Sequence, residues 1–473
     1  MMRRTKIIAT IGPACSSPAM LKKLFKAGVN VCRLNFSYGS HDDHRKVIAD
    51  IRRVSVECGK CVAIMQDLQG PKIRVGKLNH PVELKRGDTV GLSGRDVHKD
   101  EMVLPTTYAS IASDTKPGKT ILMADGRIIL QVEKVEPRKK LVTCKVLCGG
   151  TVLTGKGINL PYTKISLPAL TPKDMSDAEF GISEGVDYLA LSFVRQAKDV
   201  TKLRRLIKKK NADIPIVAKL EKPEALDNLD EILDIVDGVM VARGDLADEI
   251  SFAKVPSAQK RIIKAANRRG LLTIVATEML SSMIENPLPT RAEVSDVANA
   301  VIDGADMVML SNETAMGANP PLAVKTMGEV AEEAEKLIDT EDYRELIATG
   351  AEHEVRESLC VAISFLSYEL SERGIAVLTL SGTTARLLSK LRPECPIIAA
   401  THMESTWHRM AAYNNVEPYL LKSKFVNAKK SFEEFRDQML AAKMIKPGDR
   451  ILVLTGEGRD ATWANSIRVA VIP

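Results

Sequence analysis

The segment IPIVAKLEKPEAL combines the pattern of a buried strand with two charged residues, Lys219 and Glu221, placed two positions apart. Side chains two apart on a strand share one face, so the ammonium and the carboxylate should lie together. The next apolar run ends in ARGDLADEI and adds Asp245. Two carboxylates suit magnesium, and a neighbouring lysine suits a phosphoryl group in transfer. An ordinary salt bridge at a strand end is the alternative explanation.

The strand that carries Lys219 is one of eight short apolar runs, most of them followed by an amphipathic helical pattern. Eight strand-helix units are typical of a TIM (β/α)8 barrel, and a doubly wound sheet is the weaker alternative. Thr171 before Pro172 marks a helix start. The runs are KIIATIG, GVNVCRLNF, CVAIMQDL, DYLALSF, IPIVAKLE, DGVMVARGD, LLTIVATE and ADMVMLSNE.

The spacing of the runs divides the chain into three domains. The third and fourth runs are separated by a much longer segment than the others, residues 71–167. This segment has the short alternating strands and turn signals of a small β-barrel lid domain. Residues 1–70 and 168–340 therefore form the barrel. Residues 341–473 alternate helices and strands and predict an open α/β domain. Because the insertion leaves the C-terminal end of a barrel strand, it should cover the barrel mouth as a mobile lid.

Polar residues recur at the predicted C-terminal strand ends, where a TIM barrel carries its catalytic groups. A short helix after Gly244 would offer amide groups to a carboxylate. A substrate with a phosphate and a carboxylate fits this inventory. The strand-end residues are Arg33, Asn35, Asp67, Ser192, Lys219, Glu221, Arg243, Asp245, Thr277, Glu278, Ser311 and Glu313.

Several long motifs resemble those of the pyruvate kinase family over nearly the whole chain. The family's fold, a barrel with an inserted lid and a C-terminal regulatory domain, agrees with the three predicted domains. The resemblance implies a glycolytic enzyme that converts phosphoenolpyruvate and ADP to pyruvate and ATP. The motifs are RTKIIATIGPA, NVCRLNFSYGSHDDH, DLQGPKIRV, GVDYLALSFVR, VAKLEKPEAL, MVARGDLADEI, ATEMLSSM, PTRAEVSDVANAVIDGADMVMLSNETAMG and LSGTTARL.

The resemblance also implies roles for the strand-end residues. Lys219 would stabilise the transferring phosphoryl group and the enolate, with Arg33 and Arg74 on the phosphoryl group. Glu221 and Asp245 would hold Mg²⁺ or Mn²⁺. The remaining assignments are the Gly244 and Asp245 amides and Thr277 for the substrate carboxylate, and a water relay near Thr277 and Ser311 for enolate protonation.

Four positions depart from the family's motifs, and none removes a charge assigned to metal or phosphate. Tyr38 replaces a histidine, Ala247 a glycine, and Ala124 an aspartate, while Asn312 stands in the motif SNET. Ala247 can join a helical turn without positive φ. Ala124 and Tyr38 are expected to weaken lid closure or the contact with the nucleotide. These departures leave a catalytically weak, metabolite-sensing paralogue as one competing function. The site chemistry leaves another, a metal-dependent aldolase that acts on pyruvate or phosphoenolpyruvate.

By resemblance, Asn35, Ser37, Asp67 and the carbonyl of Leu68 form a potassium position beside the phosphate. Family members that need potassium have a glutamate where this chain has Lys72. Since an ammonium brings its own positive charge, we expect Lys72 to replace the ion and potassium not to be required. In the alternative, the flexible lysine swings into solvent and the position still takes potassium.

The loop TLSGTTAR precedes a predicted helix in the C-terminal domain. Its hydroxyl and amide groups are those of a phosphate site, and ordinary helix capping is the alternative. The resemblance implies a phosphorylated effector and a homotetramer across which it acts. The expected effector residues are Thr379, Ser381, Thr383, Thr384 and Arg459.

Composition excludes other classes of function. The 473 residues are 45% apolar and 27% charged with a net charge of +7, and RRLIKKK is the longest basic tract, so no nucleic acid binding is expected. No apolar run approaches the length of a signal peptide or a membrane span, which predicts a cytoplasmic protein without membrane contact. Cys58 and Cys61 form a CxxC without a second pair, and we expect neither a redox nor a metal role for them.

Overall fold

The structure is a computed structural model that describes residues 3–95, 102–124, 126–338, 355–370, 373–424, 428–456 and 465–473. Twenty-one strands are found in these residues. They are β1 (Lys6–Thr10), β2 (Val31–Asn35), β3 (Ala63–Asp67), β4 (Val82–Leu84), β5 (Thr89–Ser93), β6 (Val103–Pro105), β7 (Thr120–Met123), β8 (Ile128–Glu136), β9 (Leu141–Cys148), β10 (Gly150–Val152), β11 (Ile158–Asn159), β12 (Tyr188–Leu191), β13 (Ile216–Leu220), β14 (Gly238–Ala242), β15 (Leu272–Ala276), β16 (Met307–Leu310), β17 (Ile375–Leu378), β18 (Ile397–Thr401), β19 (Val416–Leu420), β20 (Arg450–Thr455) and β21 (Ser466–Val471).

Two of the helices have capping residues that are typical of helix ends. The Thr171 hydroxyl accepts a hydrogen bond from Asp174 N, and Gly28 ends the first helix at φ 110°. The α-helices of the described residues are α1 (Pro18–Ala27), α2 (His41–Cys58), α3 (Ile111–Asp114), α4 (Pro172–Ser183), α5 (Ala197–Lys209), α6 (Pro223–Asp227), α7 (Leu229–Leu233), α8 (Arg243–Ile250), α9 (Val255–Arg268), α10 (Arg291–Ile302), α11 (Asn312–Ala315), α12 (Pro320–Ala334), α13 (Val355–Glu369), α14 (Thr383–Lys390), α15 (Glu404–Met410) and α16 (Ala428–Ala441), with 3-10 turns at Pro137–Lys139, Phe252–Lys254, Ser281–Ile284 and Glu335–Leu337.

Eight strands close into a parallel barrel in the order β1, β16, β15, β14, β13, β12, β3, β2, which confirms the predicted TIM barrel. Along β13, Ile216 and Ala218 pack outward against the surrounding helices. Val217 joins the apolar cluster inside the barrel with residues of other strands, such as Met65. Lys219 shares the inward face of Val217, as its two-residue spacing predicts. Its side chain is thus aimed at the barrel mouth.

The residues between β3 and α4 form the predicted β domain. Its larger sheet has the order β11, β7, β8, β9, β5, β6, and β10 pairs with β4. The domain has its own core, which includes Val90, Leu92 and Leu130. Tyr162 Oη of this lid donates to the carbonyl of Ile250 at 3.2 Å, at the end of α8. The lid therefore rests on the barrel at its catalytic end.

The C-terminal domain is an open sheet in the order β19, β18, β17, β20, β21, in which only β21 is antiparallel to its neighbour. This confirms the predicted open α/β domain. The predicted start of the domain at residue 341 lies outside the described residues. Among the residues described, no helix has both the length and the apolar character needed to cross a membrane.

A buried ionic cluster joins the C-terminal domain to the bottom of the barrel. Asp306, just before β16, is fully buried and contacts the Lys390 ammonium and, at 2.9 Å, Arg392 Nη2. Thr273 N donates to the same carboxylate at 2.8 Å. Burial alone would raise the pKa of Asp306, but the two cations hold it below its ordinary value. The carboxylate is thus ionised and fixes the two domains to each other.

Candidate active site

Lys219 lies at the centre of a buried charged cluster at the end of β13. Its Nζ is 2.8 Å from Ser192 Oγ, 3.0 Å from Glu221 Oε1 and 3.3 Å from Asp67 Oδ1. Burial would lower the pKa of Lys219, but the Asp67 and Glu221 carboxylates raise it above its usual range. The side chain is therefore a permanent ammonium held at the barrel mouth.

Arg33, at the end of β2, forms the second positive group of the cluster. Its Nε donates to Asp67 Oδ2 at 2.6 Å and its Nη1 to Thr10 Oγ1 at 3.0 Å. Asp67 is 1% exposed, and although burial would raise its pKa, Lys219 and Arg33 lower it. The ionised carboxylate orients both cations, so two positive groups from different strands converge on one position.

Glu221 has the buried, incompletely satisfied oxygen that a metal ligand would have. Its Oε2 accepts a hydrogen bond from Phe193 N at 2.8 Å, whereas its Oε1, 3.0 Å from Lys219 Nζ, accepts no hydrogen bond of good geometry. The pKa of Glu221 is raised, mainly by burial and also by the Asp245 charge, and the Lys219 charge opposes this shift. Among the described residues no cluster of three or more His, Cys, Asp or Glu side chains could hold a metal ion. Two carboxylates plus substrate oxygens would suit Mg²⁺.

Helix α8 brings its first turn to the neighbouring strand end. Gly244 N donates to Thr277 Oγ1 at 2.8 Å, and Arg243 Nη2 donates to the Thr277 carbonyl at 2.8 Å. Thr277 has φ 72°, a strained value for a β-branched residue. Arg243 is fixed by Asp296 at 2.5 Å. Strain held in this way is common at functional sites, and here it aims a hydroxyl at the start of a helix.

Two other predicted catalytic residues, Ser311 and Arg74, make hydrogen bonds to groups outside this cluster. Ser311 N donates to Glu313 Oε2 at 2.7 Å at the end of β16. Arg74 Nη1 donates to the Gly155 carbonyl at 2.9 Å within the lid, so its hydrogen bond does not reach the barrel. Lys72, from the root of the lid, places Nζ 3.6 Å from Asp245 Oδ1.

The residues of the predicted potassium position lie side by side on β2 and β3. Asn35 pairs in register with Asp67, and its Oδ1 accepts from Ser37 N at 3.1 Å. The Leu68 carbonyl accepts from Ser192 Oγ at 2.7 Å. The oxygens are thus close to the Lys219 cluster, and the ammonium of Lys72 instead lies beside Asp245.

The four departures from the family's motifs fit the structure without loss of the charged cluster. Ala247 lies inside α8, so the expected helix forms. Asn312 begins the short helix α11. Tyr38 is 68% exposed on the loop after β2, and Ala124 has φ 52° in the lid.

Sequence reasoning missed two groups that complete the cluster. The Thr10 hydroxyl accepts from Arg33, and Phe193 N, from a residue with φ 55°, orients Glu221. Thr10 ends its strand, a signal that the strand-end argument could have used. A backbone amide has no sequence signal, so the role of Phe193 follows only from the fold.

The predicted effector loop lies at the start of α14. Ser381 Oγ and Thr383 Oγ1 are 2.9 Å apart, and Thr379 Oγ1 accepts from Gly382 N at 3.1 Å. Thr384 is 5% exposed, so Ser381 and Thr383 present the accessible hydroxyls. Arg459 lies outside the described residues.

The geometry described so far defines a (β/α)8-barrel enzyme with a cationic, carboxylate-lined site suited to phosphoryl chemistry. Comparisons with known proteins agree. The family model for the pyruvate kinase barrel domain matches residues 2–324, and the model for the pyruvate kinase alpha/beta domain matches residues 357–470. Pyruvate kinases from Staphylococcus aureus strains MRSA252 and USA300 are each 41% identical over 463 residues, covering 96% of this chain and 78% of the relative. The chain belongs to the pyruvate kinase family and is an enzyme of that kind.

Proposed function

We propose that the enzyme transfers the phosphoryl group of phosphoenolpyruvate to ADP, giving pyruvate and ATP in glycolysis. The observation that carries this proposal is the convergence of Lys219 and Arg33 on Asp67, next to the carboxylates Glu221 and Asp245. Phosphoryl transfer needs little covalent chemistry from a protein, and depends on positioning and charge. A buried ammonium on β13 and a guanidinium on β2, which converge on Asp67 of β3, meet that need.

Different residues of the site would bind different groups of the substrate. Arg33 and Lys219 would hold the phosphoryl group, and Lys219 would also face the enolate oxygen on which negative charge develops. The Gly244 and Asp245 amides and the Thr277 hydroxyl would hold the substrate carboxylate; for this, Gly244 N has to exchange its present partner, Thr277 Oγ1. Enolate protonation through water near Thr277 and Ser311 completes the reaction. Arg74 would reach the phosphoryl group only after the lid moves, since it now contacts Gly155.

A divalent ion, Mg²⁺ or Mn²⁺, would be held by Glu221 and Asp245. The unsatisfied Oε1 of Glu221 supports this assignment. The ion would neutralise charge on the substrate oxygens when bound. Lys219 and Arg33 would keep the phosphoryl group in line between its donor and acceptor.

Potassium independence is the finer part of the proposal. The monovalent position would be formed by Asn35, Ser37, Asp67 and the Leu68 carbonyl. Lys72 would place its ammonium there during turnover. In tetramethylammonium salts, near-full activity is expected, with a potassium requirement emerging in Lys72→Glu. A manyfold stimulation of the unmutated enzyme by potassium would contradict potassium independence but not the proposed reaction.

Regulation is proposed for the C-terminal domain of a cytoplasmic homotetramer. A phosphorylated effector would bind Ser381, Thr383 and the first amides of α14. Ser381 also lines an open cleft of about 1100 Å³ between this domain and the barrel, together with His402 and Lys424. The cleft has the size of a small-molecule site and a cationic side chain for the phosphate.

The test of the proposed function is magnesium-dependent ATP formation from phosphoenolpyruvate and ADP by the purified protein. Glu221→Gln and Asp245→Asn should raise the magnesium concentration needed for half activity, because each removes a ligand charge. Lys85→Gln, on the exposed surface of the lid, is the matched control and should leave it unchanged. Absence of ATP formation would contradict the reaction, and an unchanged magnesium requirement in both ligand variants would place the ion elsewhere.

A further inference from the structure

Lys72 makes an ionic contact between the root of the lid and the barrel. Its Nζ lies 3.6 Å from Asp245 Oδ1, with the two side chains 30% and 26% exposed. The backbone is fixed by a hydrogen bond from Lys72 N to the Gly70 carbonyl at 2.9 Å. Gly157 faces the stem, since a Cβ there would lie 3.8 Å from Lys72 Cε. The terminal ammonium is therefore the freest part of the side chain, beside a proposed metal ligand.

We propose that Lys72 covers Asp245 in the metal-free enzyme and leaves it when the divalent ion binds, so that this lysine sets the metal affinity of the free enzyme. The inference rests on the proposed ion site at Glu221 and Asp245. Lys72 is thus a positioning residue, which acts on the metal through Asp245.

Charge balance favours the departure of Lys72 from Asp245 when the ion binds. Three cations, Arg33, Lys219 and Lys72, face the carboxylates Asp67, Glu221 and Asp245, which gives no net charge. A divalent ion that enters this cluster meets an ammonium 3.6 Å from one of its ligands, and repulsion at such distances is strong. Moving the ammonium off Asp245 removes that repulsion and frees a ligand oxygen.

The lid does not depend on Lys72 for its contact with the barrel. Tyr162 Oη donates to the Ile250 carbonyl, and the Lys254 ammonium lies 5.9 Å from the centre of the Tyr162 ring. Removing the Lys72 charge should therefore alter metal binding without detaching the lid. This separation makes the inference testable with single substitutions.

The experiment titrates Mn²⁺ into the substrate-free, full-length protein in tetramethylammonium chloride and follows free Mn²⁺ by electron paramagnetic resonance. Lys72→Gln should bind Mn²⁺ about two- to fivefold more tightly than the unmutated protein, a range typical of removing one partly exposed charge contact. Lys72→Met is a second variant of the same kind. Lys85→Gln is the control for loss of a lid charge away from Asp245, and its affinity should not change.

A double-mutant comparison links the effect to the contact. In an Asp245→Asn background, Lys72→Gln should lose most of its effect, because the ammonium no longer covers a carboxylate. Unchanged or weaker Mn²⁺ binding in Lys72→Gln and Lys72→Met overturns the inference, as does equal tightening by Lys85→Gln. If Asp245→Asn alone leaves Mn²⁺ binding unchanged, the proposed ion site itself is wrong. If Asp245→Asn weakens binding and the Lys72 variants do not tighten it, only the inference on Lys72 fails.

Discussion

Replacing Lys219 with methionine removes a single positive charge from the centre of the site and keeps an unbranched stem. The ammonium is 2.8 Å from Ser192 Oγ and 3.0 Å from Glu221 Oε1, with 11% of the side chain exposed, so water cannot substitute for it. Loss of one well-placed transition-state charge costs about 2.7 to 4 kcal/mol. We therefore expect kcat to fall about a hundred- to a thousandfold, and Lys219→Ala should behave similarly.

The same substitution should not weaken the binding of the divalent ion. Glu221 is fully buried, and without Lys219 its Oε1 has no cationic neighbour, while Oε2 keeps Phe193 N. An unpaired buried charge costs about 3 to 5 kcal/mol, which a bound cation would relieve. The expected pattern is a lower kcat with Mn²⁺ affinity that is unchanged or higher. Glu221→Gln should instead weaken Mn²⁺ binding.

The assay measures initial rates of ATP formation at saturating substrates and metal, beside Mn²⁺ titrations of the same preparations. Thermal unfolding with and without Mn²⁺ establishes that the Lys219→Met protein is folded at the assay temperature. A kcat within tenfold of the unmutated enzyme would refute the role of Lys219 in the chemistry. Mn²⁺ binding weakened as much as in Glu221→Gln would reduce Lys219 to a residue that holds Glu221 in place.

Three further predictions concern the C-terminal domain and its junction with the barrel. Ser381→Glu places a carboxylate at the start of α14 and should abolish activation by phosphorylated metabolites, measured as the ratio of rates with and without each; persistent activation would place the effector elsewhere. Asp306→Asn leaves two buried cations without a carboxylate and should lower the free energy of unfolding by about 3 to 5 kcal/mol, so an unchanged thermal midpoint contradicts it. Burial and the Arg52 charge lower the pKa of His408 to about 3. The unfolded chain takes up this proton near pH 6.5, whereas the folded protein does so only near pH 3. The free energy of unfolding should therefore decrease by about 1.4 kcal/mol for each unit by which the pH is lowered between these two pKa values. His408→Gln should remove that part of the acid sensitivity, and a constant difference in midpoint between the two proteins from pH 7 to 5 would contradict this assignment.

The barrel and its charged cluster were predictable because their signals are local. Each strand is a short apolar run, and the alternation of strand and helix fixes which strand ends meet. The inward position of Lys219 follows from its distance from Val217 along one strand. The sequence also predicted a short helix after Gly244 that tolerates Ala247; the structure contains this helix, but it begins one residue before Gly244, at Arg243.

The details that tune the cluster depend on contacts between distant segments and were not predictable. The strained φ of Thr277 is maintained by Arg243 and Gly244 from the preceding strand end. A lysine side chain is long enough for the Lys72 ammonium to reach several possible partners. It contacts Asp245 because of where the fold places the root of the lid. The Asp306 junction likewise joins residues more than eighty positions apart, a separation that no local pattern records.

Helix α8 connects the metal site to the lid. Its first turn carries Asp245, which contacts Lys72 at the root of the lid, and its last residue, Ile250, accepts a hydrogen bond from Tyr162 of the lid. A divalent ion that took Asp245 from Lys72 would break the first of these contacts and leave the second in place. Because the Tyr162 contact does not involve Lys72, the lid stays attached to the barrel while Asp245 exchanges its partner, so metal binding can be measured apart from lid movement.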